Sequence, residues 1–539
     1  MISGRRCVAA SLVPVVLFVL IFPGVGVAGA AGSAGVAAGT GTLTGPAGTD
    51  AVVGAPGTAD EPFAEAIDVA VVNLEIVVRD KAGKLVGGLT RDDFTLYVDG
   101  RTTAISNFAA TDPGAGGAPA GGSPAGGPTP QAAAGHPEGV PAAATDEPKR
   151  EPLKLVVYVD DANVRPADRN RLLKQLRGFL DQRLAAGDRV MLVTYNHGLH
   201  IRHRFQDDLQ ALAPELAALT KESALGIQEE VALRQMLQQI HELGCGQFGQ
   251  AAAVARQHVD AVYGDVVSTY AALHHLVESL GGVAGRKALI YVGDGVANQV
   301  GTDVFGVLQE MCPDDGKTLV LERKSAIAPM QAVIAAANAN LVTLYTLETA
   351  GLRSYTSAED DQPLMSLSVS RDTDIDRQDS LTNLARETGG RAALNGNDLR
   401  RDIEEIGADL GGGYSLGFTP AQAGDGRLHT LKVELQRPGL RAAYRASYRD
   451  RSAQERLEGE TAAALLYGQL DNPLGASVRL TGAVPAEHGR LLVPLQLRVP
   501  FSKLAWLPQA DGRQGRLSLV VGSLDAKGAM SPLRHLREV

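Results

Sequence analysis

Cysteine is nearly absent from this sequence: three residues in 539, at positions 7, 245 and 312. Cys7 precedes the first apolar run, where a lipoprotein signal would not put it, so Cys245 and Cys312 are the only thiols expected in a mature chain. In an oxidising compartment the two can pair, but only if their Cα atoms approach to about 4.4–6.8 Å, so a bridge and two free thiols both stay open. An excess of basic charge is also missing. The formal net charge is -10, which argues against an electrostatic grip on nucleic acid or on an anionic membrane surface and weakly favours a basic partner. There is no G-x-S-x-G elbow and no G-x-x-x-x-G-K-[ST] loop, so the common hydrolase and nucleotide-binding signals are lacking. A long uninterrupted apolar run is missing too: Val13 to Val27 is short for a membrane span and is broken by Pro14, Pro23 and glycines, which favours a cleaved signal over the alternative of a retained anchor.

What is present at the start is an export pattern. Arg5 and Arg6 precede an apolar stretch from Val8 to Phe22, and Ala28-Gly29-Ala30 offers small residues for cleavage. Residues 1–30 are therefore expected to be a signal peptide, without the rest of a twin-arginine signal. Residues 31–66 are a Gly, Ala, Thr and Pro spacer that cannot bury enough surface to offset chain entropy. Residues 67–110 read as a small β module, with β-branched residues from Val69 to Val78 and a hairpin turn at Asp99-Gly100. Alone it would be marginal, so it is expected to dock on something. Residues 111–150 return to Gly, Pro, Ala and Ser, a linker.

Residues 151–420 alternate strand and helix, which forces a mostly parallel sheet with helices on both faces. The organising stretch is Leu155 to Asp161, an unbroken apolar run ending in two carboxylates. Lys287 to Gly295 is a second buried strand ending in an acid, Asp294. Ligands in open α/β folds bind at the carboxyl edge of such strands. Asp168 to Leu184 is an amphipathic helix, and 221–265 reads as a helical insertion. Thr269 to Leu280 is expected as a separate helix, and Tyr414 to Phe418 as the strand that closes the sheet. Residues 421–539 are β-rich, with no clear closing strand after Ser531-Pro532.

The order of these elements resembles a von Willebrand factor A (VWFA) domain, most of all the bacterial secreted proteins described as VWFA-related. The segments that carry the resemblance are NLEIVVRDKAGKLVGGLTRDDFTLYVDG, VVYVDDANVRPADRNRLLKQLRGFL, RVMLVTYN, ALIYVGDG, LARETGGRAAL and YSLGFTP. It covers roughly residues 67–110 and 150–450. The fold class it implies is α/β: a Rossmann-like VWFA domain with a mostly parallel central sheet, flanked by small N-terminal and C-terminal β modules.

The resemblance also implies a divalent-cation site, with a DxSxS motif after the first strand, a Thr from a second loop and an Asp from a third. Carried over, Asp160 matches the first Asp, Thr269, with Ser268 beside it, matches the Thr, and Asp294 matches the last Asp. The two Ser positions are Ala162 and Val164, which offer no side-chain oxygen. Asp161 and Asn163 are the substitutes within reach. Hard oxygens suit Mg²⁺ or Mn²⁺ at Asp160, Thr269 and Asp294. With two ligands missing, the expectation is a degenerate crevice without a cofactor, in which Asp160 caps its loop or the following helix. The binding residues expected are Asp160, Asp161, Asn163, Ser268, Thr269 and Asp294.

Two histidine groups complete the search. His197, His200 and His203 sit in a strand and turn whose alternation sends His200 to the opposite face, against a shared metal. His275 and Glu278 lie one helical turn apart, but no second zincin His follows. The reading is an exported or envelope-associated protein-binding module of adhesive or scaffolding type, and not an enzyme. The alternative is a component of an extracellular hydrolase or protease system. The partner expected is a protein, with no nucleic acid and no transmembrane segment in the mature chain.

Overall fold

In this computed structural model, the residues described are 13–20, 71–111, 151–184, 187–351, 364–396, 399–421, 424–468 and most of 472–538. The spacer and linker expected at 31–66 and 111–150, and the cleavage site at 28–30, fall almost wholly outside them. The chain divides into two compact units, residues 71–452 and a smaller one formed by 1–70 with 453–539.

In the smaller unit, the centre of the expected export signal is a strand, β1 (Val13–Leu20), which pairs in parallel with a C-terminal strand described below. The larger unit begins with β2 (Val72–Arg79), β3 (Phe94–Val98), β4 (Arg101–Thr103) and β5 (Asn107–Thr111). The parallel core then follows: β6 (Leu153–Asp160), α1 (Pro166–Arg183), β7 (Arg189–Tyr195), β8 (Leu199–Gln206), α2 (Leu212–Leu219), α3 (Gly226–Leu243), α4 (Phe248–Ser279) and β9 (Arg286–Val292). A short ribbon of β10 (Gln299–Val300) and β11 (Lys324–Ser325) brackets α5 (Thr302–Met311) and α6 (Pro313–Gly316). Next come α7 (Ile327–Ala339), β12 (Val342–Leu347), α8 (Leu367–Arg386), β13 (Ala392–Ala393) and α9 (Leu399–Gly411).

The central sheet has the order β13-β12-β9-β6-β7-β8, parallel throughout except for β8 at one edge. In order of appearance its strands run 6-5-4-1-2-3, the doubly wound arrangement with its switch point between β6 and β9. β6 is buried on both faces because helices cover both. Leu153, Leu155, Val157 and Val159 pack with Leu172, Leu173 and Leu176 of α1 and with Ile403, Ile406 and Leu410 of α9, while Val156 and Tyr158 bury the opposite face. That two-sided burial is why the strand reads as an unbroken apolar run.

Tyr414–Phe418 does not close this sheet. It is β14 (Gly413–Phe418), and it lies antiparallel between β2 and β5 in a second sheet. β16 (Arg441–Ala443) extends that sheet along β2, and β15 (Leu428–Leu435) pairs with β3 and with β17 (Ser447–Arg449) in a third. The segments around 72–111 and 413–449 therefore interleave as one β body. Its shared core includes Leu74, Ile76, Phe94, Leu96, Tyr414, Leu416, Phe418, Leu431, Val433 and Tyr448. The physical reason is burial: β2 and β3 each present an apolar face too small to stand alone, and β14 and β15 cover them.

The smaller unit continues with α10 (Ala453–Tyr467) and the pairs β18 (Ser477–Leu480) with β21 (Leu495–Arg498), β19 (Val484–Pro485) with β20 (Leu491–Leu492), and β22 (Leu507–Gln509) with β23 (Gly512–Gln514). β24 (Leu517–Leu524) takes β1 on one edge and β25 (Arg534–Glu538) on the other. β25 is the strand beyond Ser531-Pro532 that the sequence pattern did not reveal. Among the described residues, no helix is long and apolar enough to cross a membrane.

Cys245 and Cys312 are joined by a disulfide, with their Cα atoms 5.6 Å apart. It ties the turn between α3 and α4 to the junction of α5 and α6. In the larger unit it thus fixes the helical 221–265 segment to the rest of the domain.

Candidate functional site

Asp160 ends β6 at the sheet's carboxyl edge, in register with Tyr195 of β7, and is fully buried. Its carboxylate is held by its own surroundings. The Tyr291 hydroxyl, from the end of β9, donates to Oδ2. Asn163 donates through Nδ2 to Oδ2 at 2.9 Å and through its backbone N–H to Oδ1 at 3.2 Å, so Asp160 caps its own loop. Burial pushes the Asp160 carboxyl up to about 6, against the pull of these hydrogen bonds.

Asp161, next in the chain, turns away. It pairs with the buried guanidinium of Arg169, Nη1 to Oδ1 at 2.8 Å. Arg169 also donates to the Glu222 carbonyl at 2.7 Å, tying α1 to the segment before α3. Burial raises the Asp161 carboxyl in spite of Arg169. The Asp161 carbonyl accepts from Leu225 N at 2.8 Å, and Gly226 packs so tightly on the Val164 carbonyl that a Cβ there would come within 2.6 Å of it. Ala162 and Val164 are buried. They serve as packing beneath the loop.

Thr269 and Ser268 are not on a loop. α4 runs unbroken for 32 residues, because its Ala-rich sequence contains no proline to stop it. The separate helix expected from Thr269 is the C-terminal part of α4. In mid-helix each hydroxyl bonds back one turn, Thr269 Oγ1 to the Asp265 carbonyl at 3.0 Å and Ser268 Oγ to the Gly264 carbonyl at 2.9 Å. Asp294 is committed to the loop after β12: its Oδ1 accepts from Thr349 N at 3.0 Å, the Thr349 hydroxyl at 2.5 Å and Ala350 N at 2.9 Å. Asp160, Asp161 and Asp294 do not bring three carboxylate oxygens within 4.8 Å of one another.

Two groups at the crevice were not evident from sequence. Glu229, in the first turn of α3, is exposed as a residue, yet desolvation of its carboxyl pushes it up to about 7 while Arg377 of α8 pulls the other way. Asp160 and Asp265 add to the upward push on Glu229. Arg377 lies beside Gly295, whose Cβ, if present, would meet the Arg377 carbonyl at 2.5 Å. A Gly after a strand-end Asp is the sequence sign of that close approach; nothing local marks its partner.

The histidine groups weighed from sequence lie on the β7–β8 ribbon and on α4. His197 occupies the turn between β7 and β8 with φ +48°, and its Nδ1 is 3.9 Å from Asp265. His200 and His203 face Thr194 and Leu192 across the β7–β8 ladder. His274, His275 and Glu278 gather on the outer face of α4, with ligand atoms within 4.8 Å of one another. The contact is made by His274 at i and Glu278 at i+4, 3.7 Å apart.

No family model matches the chain, and no curated protein does. Solved bacterial structures match about half of it. An aerotolerance-related membrane protein from Bacteroides fragilis shares 9% identity over 48% of this chain and 98% of that one, with a TM-score of 0.24. The von Willebrand factor domain of a type V pili tip protein from Porphyromonas gingivalis shares 13% over 48% and 95%, with a TM-score of 0.23. A von Willebrand factor type A structure from Catenulispora acidiphila shares 11% over 57% and 68%, with a TM-score of 0.24. The strand order of the sheet, rather than these scores, fixes the fold class.

Proposed function

We propose that the chain is an exported, non-catalytic protein-interaction module that binds a protein partner at the carboxyl edge of its parallel sheet without a metal ion. The observation that carries this reading is the way Asp160 is used. Both its oxygens accept hydrogen bonds from Tyr291 and Asn163, and the other two candidate ligands are likewise engaged, Thr269 by its own helix and Asp294 by Thr349 and Ala350. Ala162 and Val164 supply no oxygen. Such a donor set does not fit an octahedral Mg²⁺ or Mn²⁺.

What lies at this edge instead is Glu229, with Arg377 near enough to favour its charged form. Complementary charges of this kind set specificity and encounter rate in protein recognition. Export is supported by Arg5, Arg6 and the apolar stretch behind them. The test is capture of envelope and secreted proteins on the immobilised chain, in Mg²⁺ and in EDTA, beside the Arg377→Glu variant. Retention of the same partner in both buffers, lost with Arg377→Glu, supports the reading. Capture that requires Mg²⁺, or that ignores the Arg377 change, overturns it.

A further inference from the structure

Four cations collect at the opposite, amino edge of the sheet, around the starts of β9 and β12. Arg286 pairs with Glu75 at 3.4 Å and donates to the Leu410 carbonyl at 2.6 Å. Arg451 donates to the Asn340 side chain. Among the described residues, neither Lys287 nor Arg445 forms an ion pair with a carboxylate. Lys287 is 8% exposed, and its Nζ donates to the Val283 carbonyl at 2.7 Å. Arg445, between β16 and β17, is 5% exposed, and its Nε and Nη1 are buried without an acceptor among the described residues. The turn at Gly389 brings Arg445 in: with φ +83°, a Cβ at Gly389 would meet Arg445 N at 2.8 Å. Burial acts against both charges, with repulsion from Arg445 and Arg451 at Lys287 and from Arg286 at Arg445, while Glu151 favours the first and Glu75 the second. Of the nearby anions, Glu75 is taken by Arg286, and Glu151 is an exposed side chain at the rim.

Unpaired cations with so little solvent are expensive to hold. Water can satisfy a lone N–H, but it does not neutralise two positive charges. A guanidinium offers a planar fork of donors that matches two oxygens of one anion, and an ammonium beside it adds a point charge. We propose that Lys287 and Arg445 form a binding site for a small oxyanion of the phosphate or sulfate type, at the edge of the sheet remote from the crevice. The site is independent of how the crevice is used.

The test uses the full chain, with thermal unfolding and calorimetry against sodium phosphate, sulfate, acetate and chloride at equal ionic strength. Phosphate and sulfate are expected to raise Tm saturably, with chloride inert. Lys287→Gln is expected to weaken the apparent phosphate affinity by about tenfold or more, and Arg445→Gln to abolish the response. If Arg445→Gln fails to fold, ³¹P line broadening of phosphate on the unaltered chain, reversed by sulfate, replaces it. A shift of equal size with chloride, a response to acetate alone, or a phosphate response unchanged in Lys287→Gln overturns the proposal.

Discussion

Arg169 and Asp161 form an ion pair almost wholly removed from water, Nη1 to Oδ1 at 2.8 Å, with side-chain exposures of 0% and 3%. The pair directs Asp161 away from the crevice and locks the loop after β6 onto α1. Breaking such a pair leaves a buried charge alone, whereas replacing both partners does not. Arg169→Met is therefore expected to cost about 3–5 kcal/mol, read as a shift in the urea midpoint. The double variant Arg169→Met/Asp161→Leu is expected to regain much of that loss. A single variant within about 0.5 kcal/mol of the parent would show that the pair does not hold the loop.

The β body makes a claim about connectivity. Because β2, β3 and β5 pair with β14 and β15, a protease site inserted in the Gly- and Pro-rich stretch 112–150 should give two fragments that stay together. Co-elution in size exclusion after complete cleavage is the expected result. Release of the N-terminal piece under native conditions would contradict the interleaving.

Much of the parallel core was legible in the sequence, because strands buried on both faces appear as unbroken apolar runs, as at Leu155 to Val159 and Ala288 to Val292. The acids at their ends were legible for the same reason, being the first charge after each run. The fate of those acids was not. Nothing near Asp160 announces that Tyr291, 131 residues away, will bond it, and Arg169 looks like one more polar residue on an amphipathic helix. Thr269 was misplaced because a long helix without internal caps gives no local sign of where a loop would fall. β14 was misassigned because GYSLGF has the alternation of a strand without any mark of its neighbour, and strand pairing is decided by long-range burial.

The disulfide closes a loop spanning 67 residues. On a chain-entropy account a loop of that length contributes about 4 kcal/mol, so Cys245→Ser is expected to lower stability by that order. Dithiothreitol should lower the unfolding midpoint of the parent and leave the variant unmoved. A parent insensitive to reduction would mean that the bridge carries no stability.

Lys287 gives a pH signature. Burial, with Arg445 and Arg451 nearby and Glu151 opposing them, lowers its ammonium to about 7. The unfolded chain holds that proton up to the ordinary lysine range, so between about pH 7 and pH 10 unfolding takes up a proton and stability rises with pH. Below that window the buried charge is a constant penalty, on the order of 5 kcal/mol. The difference in unfolding free energy between the parent and Lys287→Met should therefore shrink as pH rises from 7 to 10. Phosphate should reduce that slope if it pairs with the ammonium. A difference that is flat with pH would contradict the burial of a charged Lys287.

The central claim is that Asp160 is satisfied by Tyr291 and Asn163 rather than by an ion. The most direct measurement is thermal unfolding of the full chain during Mg²⁺, Mn²⁺ and Ca²⁺ titration, with Asp160→Ala alongside. The account expects no saturable rise in Tm for any of the three. A saturable stabilisation that Asp160→Ala abolishes would contradict it.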